Sequence, residues 1–523
     1  MDLDEKPKDV QEQAETIPHL PAGDALAEAA ASEHALSSWS AIRLYWRAFL
    51  WCVFMCVGAM LVGYDLQVTG GLLSVPAFRR DFGFESRGQY IISASWQSAF
   101  NATSAIGSMF GGLSVGFVIE RFGTRKTILL CNVISIGAIL IQFFTPAHNN
   151  GMLVAGKLVN GLSLGMYISV ASTYCAELAP MALRGFTTAS VNLWFALGQL
   201  LSNASIRGSG ARLDKYAYRI PFATQWIFPV ILLAGLPFAP ESPWWLVRQN
   251  RLEEARRIIE HVGGGHANSQ LLLRQIQETI ELEDYYSSTS KFADMFKGPN
   301  LRRTIIAAMV FAVQHGSGIN FVVAFSSYFF ELAGFSDNKS HDFGLAVSSV
   351  GILGNLCTFY TLNRFGRRTL FNASLWSCTI VLMIIGFLSI STNESTRLVI
   401  VSFIIVYMFC YQCGIGPVAY VIYAEVPSAR LRSKTVGLGV VTNQVFTLVF
   451  NIVVPYLVNP DEANLGGYVG FVFGGLTIIA CVWVWFAIPE TKGRTVDEID
   501  IMFEEKIPAR KFASHRILAS CRE

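Results

Sequence analysis

Long apolar runs recur along the whole chain, from WCVFMCVGAMLVGY at 51–64 to the run that ends at Ile488. An α-helix needs about 20 such residues to cross the hydrocarbon core of a bilayer. No single soluble core could hide so many runs of that length. Charged residues make up 15% of the 523 and apolar ones 52%, whereas a soluble chain carries about 25% charge. The chain is therefore expected to be an all-α polytopic membrane protein.

The runs predict twelve spans, at 47–70, 90–118, 127–146, 151–174, 186–205, 223–239, 304–331, 343–362, 369–391, 397–423, 436–458 and 467–488. The fifth and seventh are the least uniformly apolar. In a helix bundle such polar faces line an interior path. Asp65 closes the first run, in LVGYDLQVTGGLL at 61–73. An ionised, unpaired carboxylate in a span costs roughly 2.5 to 3.5 kcal/mol on insertion scales, so a partner is expected for it.

The chain repeats itself. ERFGTRKT at 120–127 returns as NRFGRRTL at 363–370, AELAPMALRG at 176–185 as AEVPSARLRS at 424–433, and PESP at 240–243 as PETK at 489–492. Three ordered matches at nearly one offset define two pseudo-symmetric six-helix halves, 47–240 and 304–490, with a substrate path between them. The polar stretch 241–303 separates them. Its NRLEEARRIIEHV places Leu252, Ala255, Ile258, Ile259 and Val262 on one helical face, which predicts amphipathic helices outside the bilayer.

The first 36 residues hold nine acids and two lysines, and 1–46 is expected to be a disordered tail. Residues 491–523 are expected to form a C-terminal tail. The basic motif loops place both tails and the linker on the cytoplasmic side. Bases at Arg79, Arg80, Arg87, Arg212, Lys215 and Arg219 fall on the other side and weaken that bias. With 40 basic and 38 acidic residues there is no polybasic footprint, which excludes nucleic acid as a partner. Cys410 and Cys413 lie within a span, where packed thiols rather than a metal site are expected. There is no nucleophile–base set and no cofactor loop, so neither an enzyme nor a cofactor is expected.

A sugar needs many uncharged donors and acceptors, which Asn and Gln supply together. Asn192 and Gln199 lie two turns apart on the fifth span. Gln314, His315 and Asn320 surround two glycines in QHGSGIN on the seventh, and Asn443 and Thr447 lie one turn apart on the eleventh.

In their order the motifs GYD (63–65), ERFGTRK (120–126), AELAPMALRG (176–185), PESPWWL (240–246), QHGSGIN (314–320), NRFGRR (363–368) and PETKGRT (489–495) resemble the sugar porter family of the major facilitator superfamily. VNLWFALGQL, PESPWWLVRQ and EVPSARLRSKT are most similar to fungal maltose-type (α-glucoside) permeases. The resemblance implies alternating-access transport of a sugar across the plasma membrane, by a functional monomer whose partners are a small sugar, protons and the lipid bilayer.

It also implies roles for residues. Asp65 would couple to protons with Lys157, which stands where the family has Arg. Asn192, Gln199, Gln314, His315, Asn320, Tyr420, Asn443 and Thr447 would bind sugar, with Tyr420 as the stacking surface. A cytoplasmic gate would use Glu120, Arg121, Arg125, Glu177, Arg184 and Glu241 in one half, and Arg364, Arg367, Arg368, Glu425, Arg432 and Glu490 in the other. Thr124 and Asn363 depart from the family pattern, where Arg and an acid are common. A facilitative hexose carrier, a sugar sensor and an exporter of a secondary metabolite remain open. Sequons at Asn338 and Asn393 would face outside and are candidate glycosylation sites.

Overall fold

The computed structural model describes residues 42–515, apart from 87, 180, 264–268, 290, 392, 493 and 495. All but the last few residues of the expected N-terminal tail lie outside the described residues, as do 516–523.

Among the described residues, eleven helices are long and apolar enough to cross a membrane. The fifth span, Met181–Ser209, completes twelve. Its 29 residues suffice in length, but Asn192, Gln199 and Asn203 lower its hydropathy. The first half holds Trp46–Met55 with Val57–Leu72, then Ala94–Phe122, Thr124–Phe144, Asn150–Leu178, Met181–Ser209, and Tyr216–Thr224 with Ile227–Gly235. The second holds Gly298–Gly316 with Ile319–Leu332, then Asp337–Phe365, Arg367–Leu388, Glu394–Cys413 with Ile415–Glu425, Arg432–Val458 and Val469–Ala487. These are the first to twelfth spans below.

Packing repeats with the sequence. The first span lies along the fifth as the seventh lies along the eleventh, and the second lies along the fourth as the eighth along the tenth. Between the halves, the second span meets the eleventh and the eighth meets the fifth, a pair of equivalent contacts. A backbone in lipid must satisfy its own polar groups. Pro221 removes the donor that Ala217 O would otherwise receive, and Ser209 Oγ supplies one at 3.0 Å.

Two expectations shift. Phe84–Ser86 and Gln89–Ile91 form two antiparallel strands that pair Phe84 with Ile91, so the second span begins later than expected. The sixth span begins earlier, at Tyr216, and takes in Arg219, whose guanidinium lies 5.5 Å from the Phe143 ring centre. The segment after the twelfth span is partly folded. Val496–Glu504 is helical, Ile499, Met502, Phe503 and Phe512 are buried, and Arg303 pairs with Asp500 beneath Phe503.

The linker contains Pro243–Arg248, Leu252–Val262 and Ser269–Thr289. Ala255 and Ile259 of the expected apolar face pack with Leu246, Val247, Ile276 and Ile280 in a small core of their own.

Candidate functional site

Asp65 has the partner its setting demands. Lys157 Nζ lies 2.8 Å from Asp65 Oδ1, and both side chains are 1% exposed. Asn160 Nδ2 donates to the same oxygen at 3.0 Å, and Ser104 Oγ to the other at 3.2 Å. Lys157 Nζ is 5.7 Å from the Phe222 ring centre. Burying two charges is costly unless geometry and further hydrogen bonds compensate, and here three donors from the second and fourth spans converge on one carboxylate. Asn160 and Ser104 were not singled out from sequence. Asn160 sits one turn from Lys157, which was the available signal.

A second polar cluster forms where the seventh span breaks. Gly318 has φ 88°, a conformation that favours glycine, and the helix restarts at Ile319. Just before the break, His315 bridges to both sides. Its Nδ1 is 2.8 Å from Asn320 Oδ1, and its Nε2 is 2.7 Å from Asn443 Oδ1 and 3.1 Å from Thr447 Oγ1. Asn320 Nδ2 donates to Asn451 Oδ1 at 2.9 Å. Asn443, Thr447 and Asn451 follow at one-turn intervals on the eleventh span. Four expected residues are thus brought together, and Asn451 is the member that sequence reasoning missed.

Gln314 donates to Gly416 O at 3.4 Å, tying this break to the one in the tenth span at Gly414. Tyr420 faces Asn443 and stays 44% exposed. Its ring centre lies 5.4 Å from Phe311 and 6.1 Å from Tyr423, so the cluster has an aromatic surface beside it. Gln199 is buried and Asn192 half-buried on the fifth span. No hydrogen bond among the described residues joins either to His315. Asn192 Nδ2 is buried without a partner among them.

The motif loops repeat one construction. Glu241 accepts the backbone N–H groups of Thr124 at 2.8 Å and Arg125 at 3.3 Å. Glu490 does the same for Arg367 at 2.8 Å and Arg368 at 3.2 Å. Each carboxylate caps the positive end of the next helix. Gly123 (φ 83°) and Gly366 (φ 85°) make the turns, and a Cβ there would meet Glu241 Oε2 at 2.8 Å or Glu490 Oε2 at 2.6 Å.

Arginines add to these caps unequally. Arg367 Nη2 pairs with Glu425 at 2.8 Å, and Thr491 Oγ1 donates to the same carboxylate. In the first half Thr124 stands in place of Arg367, and Glu177 accepts from Ser242 Oγ. Arg125 reaches the carbonyl of Pro237 at 3.0 Å, and Arg368 that of Trp485 at 2.8 Å. Glu120 is exposed, although its carbonyl accepts from Trp245 Nε1. Arg121 stacks near Phe122, Arg364 reaches Tyr360, and Arg432 is exposed. The side chain of Arg184 lies outside the described residues.

None of the contacts just described crosses from one half to the other, and among the described residues the halves join at the opposite end. There Gln97 Nε2 and Tyr328 Oη both donate to Asn459 Oδ1, at 2.8 and 2.6 Å. Ser98 Oγ donates to Ile452 O at 3.0 Å, and Asn203 Nδ2 to Ser348 Oγ at 2.7 Å and Gly344 O at 3.1 Å. Arg79 pairs with Glu331 at 2.5 Å, and Arg207 with Asp342 at 2.6 Å. Asn338 and Asn393 are exposed at this end, the former accepting from Arg207 at 3.3 Å.

Two six-helix repeats, joined by hydrogen bonds at one end and enclosing a buried ion pair and a polar helix break, define a membrane transporter of the major facilitator fold. Residues 51–503 match the family described as Sugar (and other) transporter. A general alpha-glucoside permease of Saccharomyces cerevisiae is 34% identical over 507 residues, 95% of this chain and 82% of the permease. A maltose permease of the same yeast is 32% identical over 503 residues, 94% of this chain and 81% of that one. In fold, the chain resembles the inward-open xylose transporter XylE from E. coli, with a TM-score of 0.72 at 21% identity over 87% of this chain and 99% of XylE. The chain belongs to the sugar (and other) transporter family. It is a transporter, not an enzyme.

Proposed function

We propose that the protein takes up an α-glucoside together with protons, as a monomer in the plasma membrane, by alternating access between halves 47–240 and 304–490. The motif loops, the linker 241–303 and both terminal segments face the cytoplasm. The observation that carries the substrate reading is the polar cluster of His315, Asn320, Asn443, Thr447 and Asn451 beside the rings of Phe311, Tyr420 and Tyr423. Amides supply the hydrogen bonds that sugar hydroxyls need, and the rings supply a face for the C–H side of a pyranose. The relatives named as alpha-glucoside and maltose permeases favour an α-linked glucoside over a free hexose.

Coupling is assigned to Asp65 and Lys157. A lysine sheds its charge far more readily than an arginine when buried, so this pair suits a cycle in which Asp65 exchanges Lys157 for a proton. Labelled glucose, maltose, sucrose, trehalose and cellobiose, offered to transporter-null yeast with external pH recorded, test the reading. Entry of an α-glucoside with alkalinisation of the medium is the expected result. Entry of glucose alone without a pH change would leave a facilitative hexose carrier instead.

A further inference from the structure

The end of the bundle where the halves meet carries ionisable side chains that the sugar and Asp65 assignments leave unused. We infer that Glu331 is a second proton-binding site, where protonation releases Arg79 and lets the closed end open. This rests on the reading that the motif loops face the cytoplasm, which makes the closed end the outer one.

The pair joins two bodies that must separate. Arg79 lies on the short helix Pro76–Phe82 of the first half, and Glu331 on the last turn of the seventh span in the second. Their side chains are 12% and 13% exposed, against 37% and 53% for Arg207 and Asp342 at the same seam. The outer mouth cannot widen between these elements while the 2.5 Å contact persists.

The carboxylate is also poorly supported. Glu331 Oε2 and Arg79 Nε are both buried with no hydrogen-bond partner among the described residues. Asp65, by contrast, receives Lys157, Asn160 and Ser104. A shielded carboxylate held by one cation keeps most of its desolvation cost, and a proton removes that cost. Its surroundings push the same way. Asp337, in the first turn of the eighth span, faces Glu331 and repels it. Arg397 from the tenth span packs at Gly334, while Asp461 and the Arg79–Glu331 pair both bear on Tyr328, one turn before Glu331.

His341 is another buried titratable group at this seam. Its Nε2 lacks a partner among the described residues and lies 3.2 Å from where a Cβ on Gly210 would sit, with Asp337, Asp342 and Arg207 around it. A proton on His341 would place a second cation beside Arg207, so it is the residue that a control must separate from Glu331.

The chemistry predicts a direction. Acid outside neutralises Glu331, frees Arg79 and raises the outward-open fraction whether or not sugar is present. Ser98 reports that opening, because its hydroxyl is held against Ile452 O across the seam and is hidden while the end is closed. A membrane-impermeant thiol reagent added to intact cells reads the labelling rate of Ser98→Cys. Leu213→Cys, in an exposed loop at the same end, corrects for the pH dependence of the thiol reaction itself.

In the parent the ratio of the two rates is expected to rise several-fold from neutral to mildly acidic medium. Glu331→Gln is expected to hold it high at both, and Arg79→Gln, which removes the partner instead, to do the same. If Glu331→Gln fails to reach the surface, Arg79→Gln decides alone. Retention of the parental rise in the surface-expressed variant would overturn the assignment, as would loss of the rise in His341→Asn alone. Absence of external labelling at Leu213→Cys would refute the orientation instead, and no outcome depends on sugar uptake.

Discussion

Glu241 and Glu490 hold equivalent places in the two halves, each with its carboxylate across the first two backbone N–H groups of the span that follows a motif glycine. The bond is to main chain, so the turn keeps its shape whatever the arginines beside it do. Glu490→Gln should therefore cost about 1 kcal/mol of helix-end stabilisation. Gly366→Ala should cost more, because it adds both a positive-φ strain and a 2.6 Å contact with Glu490 Oε2. Thermal unfolding of the purified protein in detergent gives the order, and equal melting points would contradict it.

Arg367 bonds Glu425 through Nε and Nη2, while Arg125 and Arg368 hold main-chain carbonyls. Arg367→Ala and Arg125→Ala should each abolish uptake without lowering surface expression, since the helices remain capped. Thr124→Arg places an arginine where the second half has Arg367, and should change the turnover rate rather than KM. Uptake rates alongside surface biotinylation test all three. Normal uptake in either alanine variant would remove that arginine from the gate.

Asp65→Asn keeps a hydrogen-bonding side chain but cannot take up a proton and release it. It should lose accumulation of sugar against a gradient while retaining counterflow between preloaded vesicles and medium. Accumulation equal to the parent would show that Asp65 and Lys157 only hold two helices together.

His315 joins the two segments of the seventh span to the eleventh. Asn443→Ala removes one neutral hydrogen bond of about 1 kcal/mol, equivalent to roughly a fivefold rise in KM. His315→Gln should preserve transport and flatten any pH dependence arising at this cluster, because glutamine can meet Asn320 or Asn443 but does not titrate. Sugar saturation curves at two pH values distinguish binding from turnover. An unchanged KM in Asn443→Ala would take the eleventh span out of the pocket.

Asn338 and Asn393 lie exposed at the end away from the motif loops. Glycosidase treatment should sharpen or shift the band of the yeast-expressed protein, and Asn338→Gln with Asn393→Gln should remove that shift. A shift that survives both substitutions would point to another site or the opposite orientation.

Much of this was legible before the structure. The internal repeat announced two equivalent loops, and Gly123 and Gly366 with Glu241 and Glu490 supply them. Period-four spacing put Asn443 and Thr447 on one face, and one of the two glycines of QHGSGIN, Gly318, makes the break. What escaped had no local signature. Arg125 bonds a carbonyl, which no side chain advertises. Arg79 and Glu331 belong to different halves, so neither motif nor repeat links them. Asn451 was one further turn along a face already identified. Arg219 looked like a loop base because its charge hid a helix start that the Phe143 ring supports.

The closed seam also has a kinetic meaning. With the motif loops toward the cytosol, a carrier held closed at the outer end can exchange sugar only with the cell interior. Internal sugar then competes for the form that must reset before the next import, and a rising internal pool throttles its own supply. Weakening the Asn459 bonds from Gln97 and Tyr328 should relieve that product inhibition before it affects affinity for external sugar.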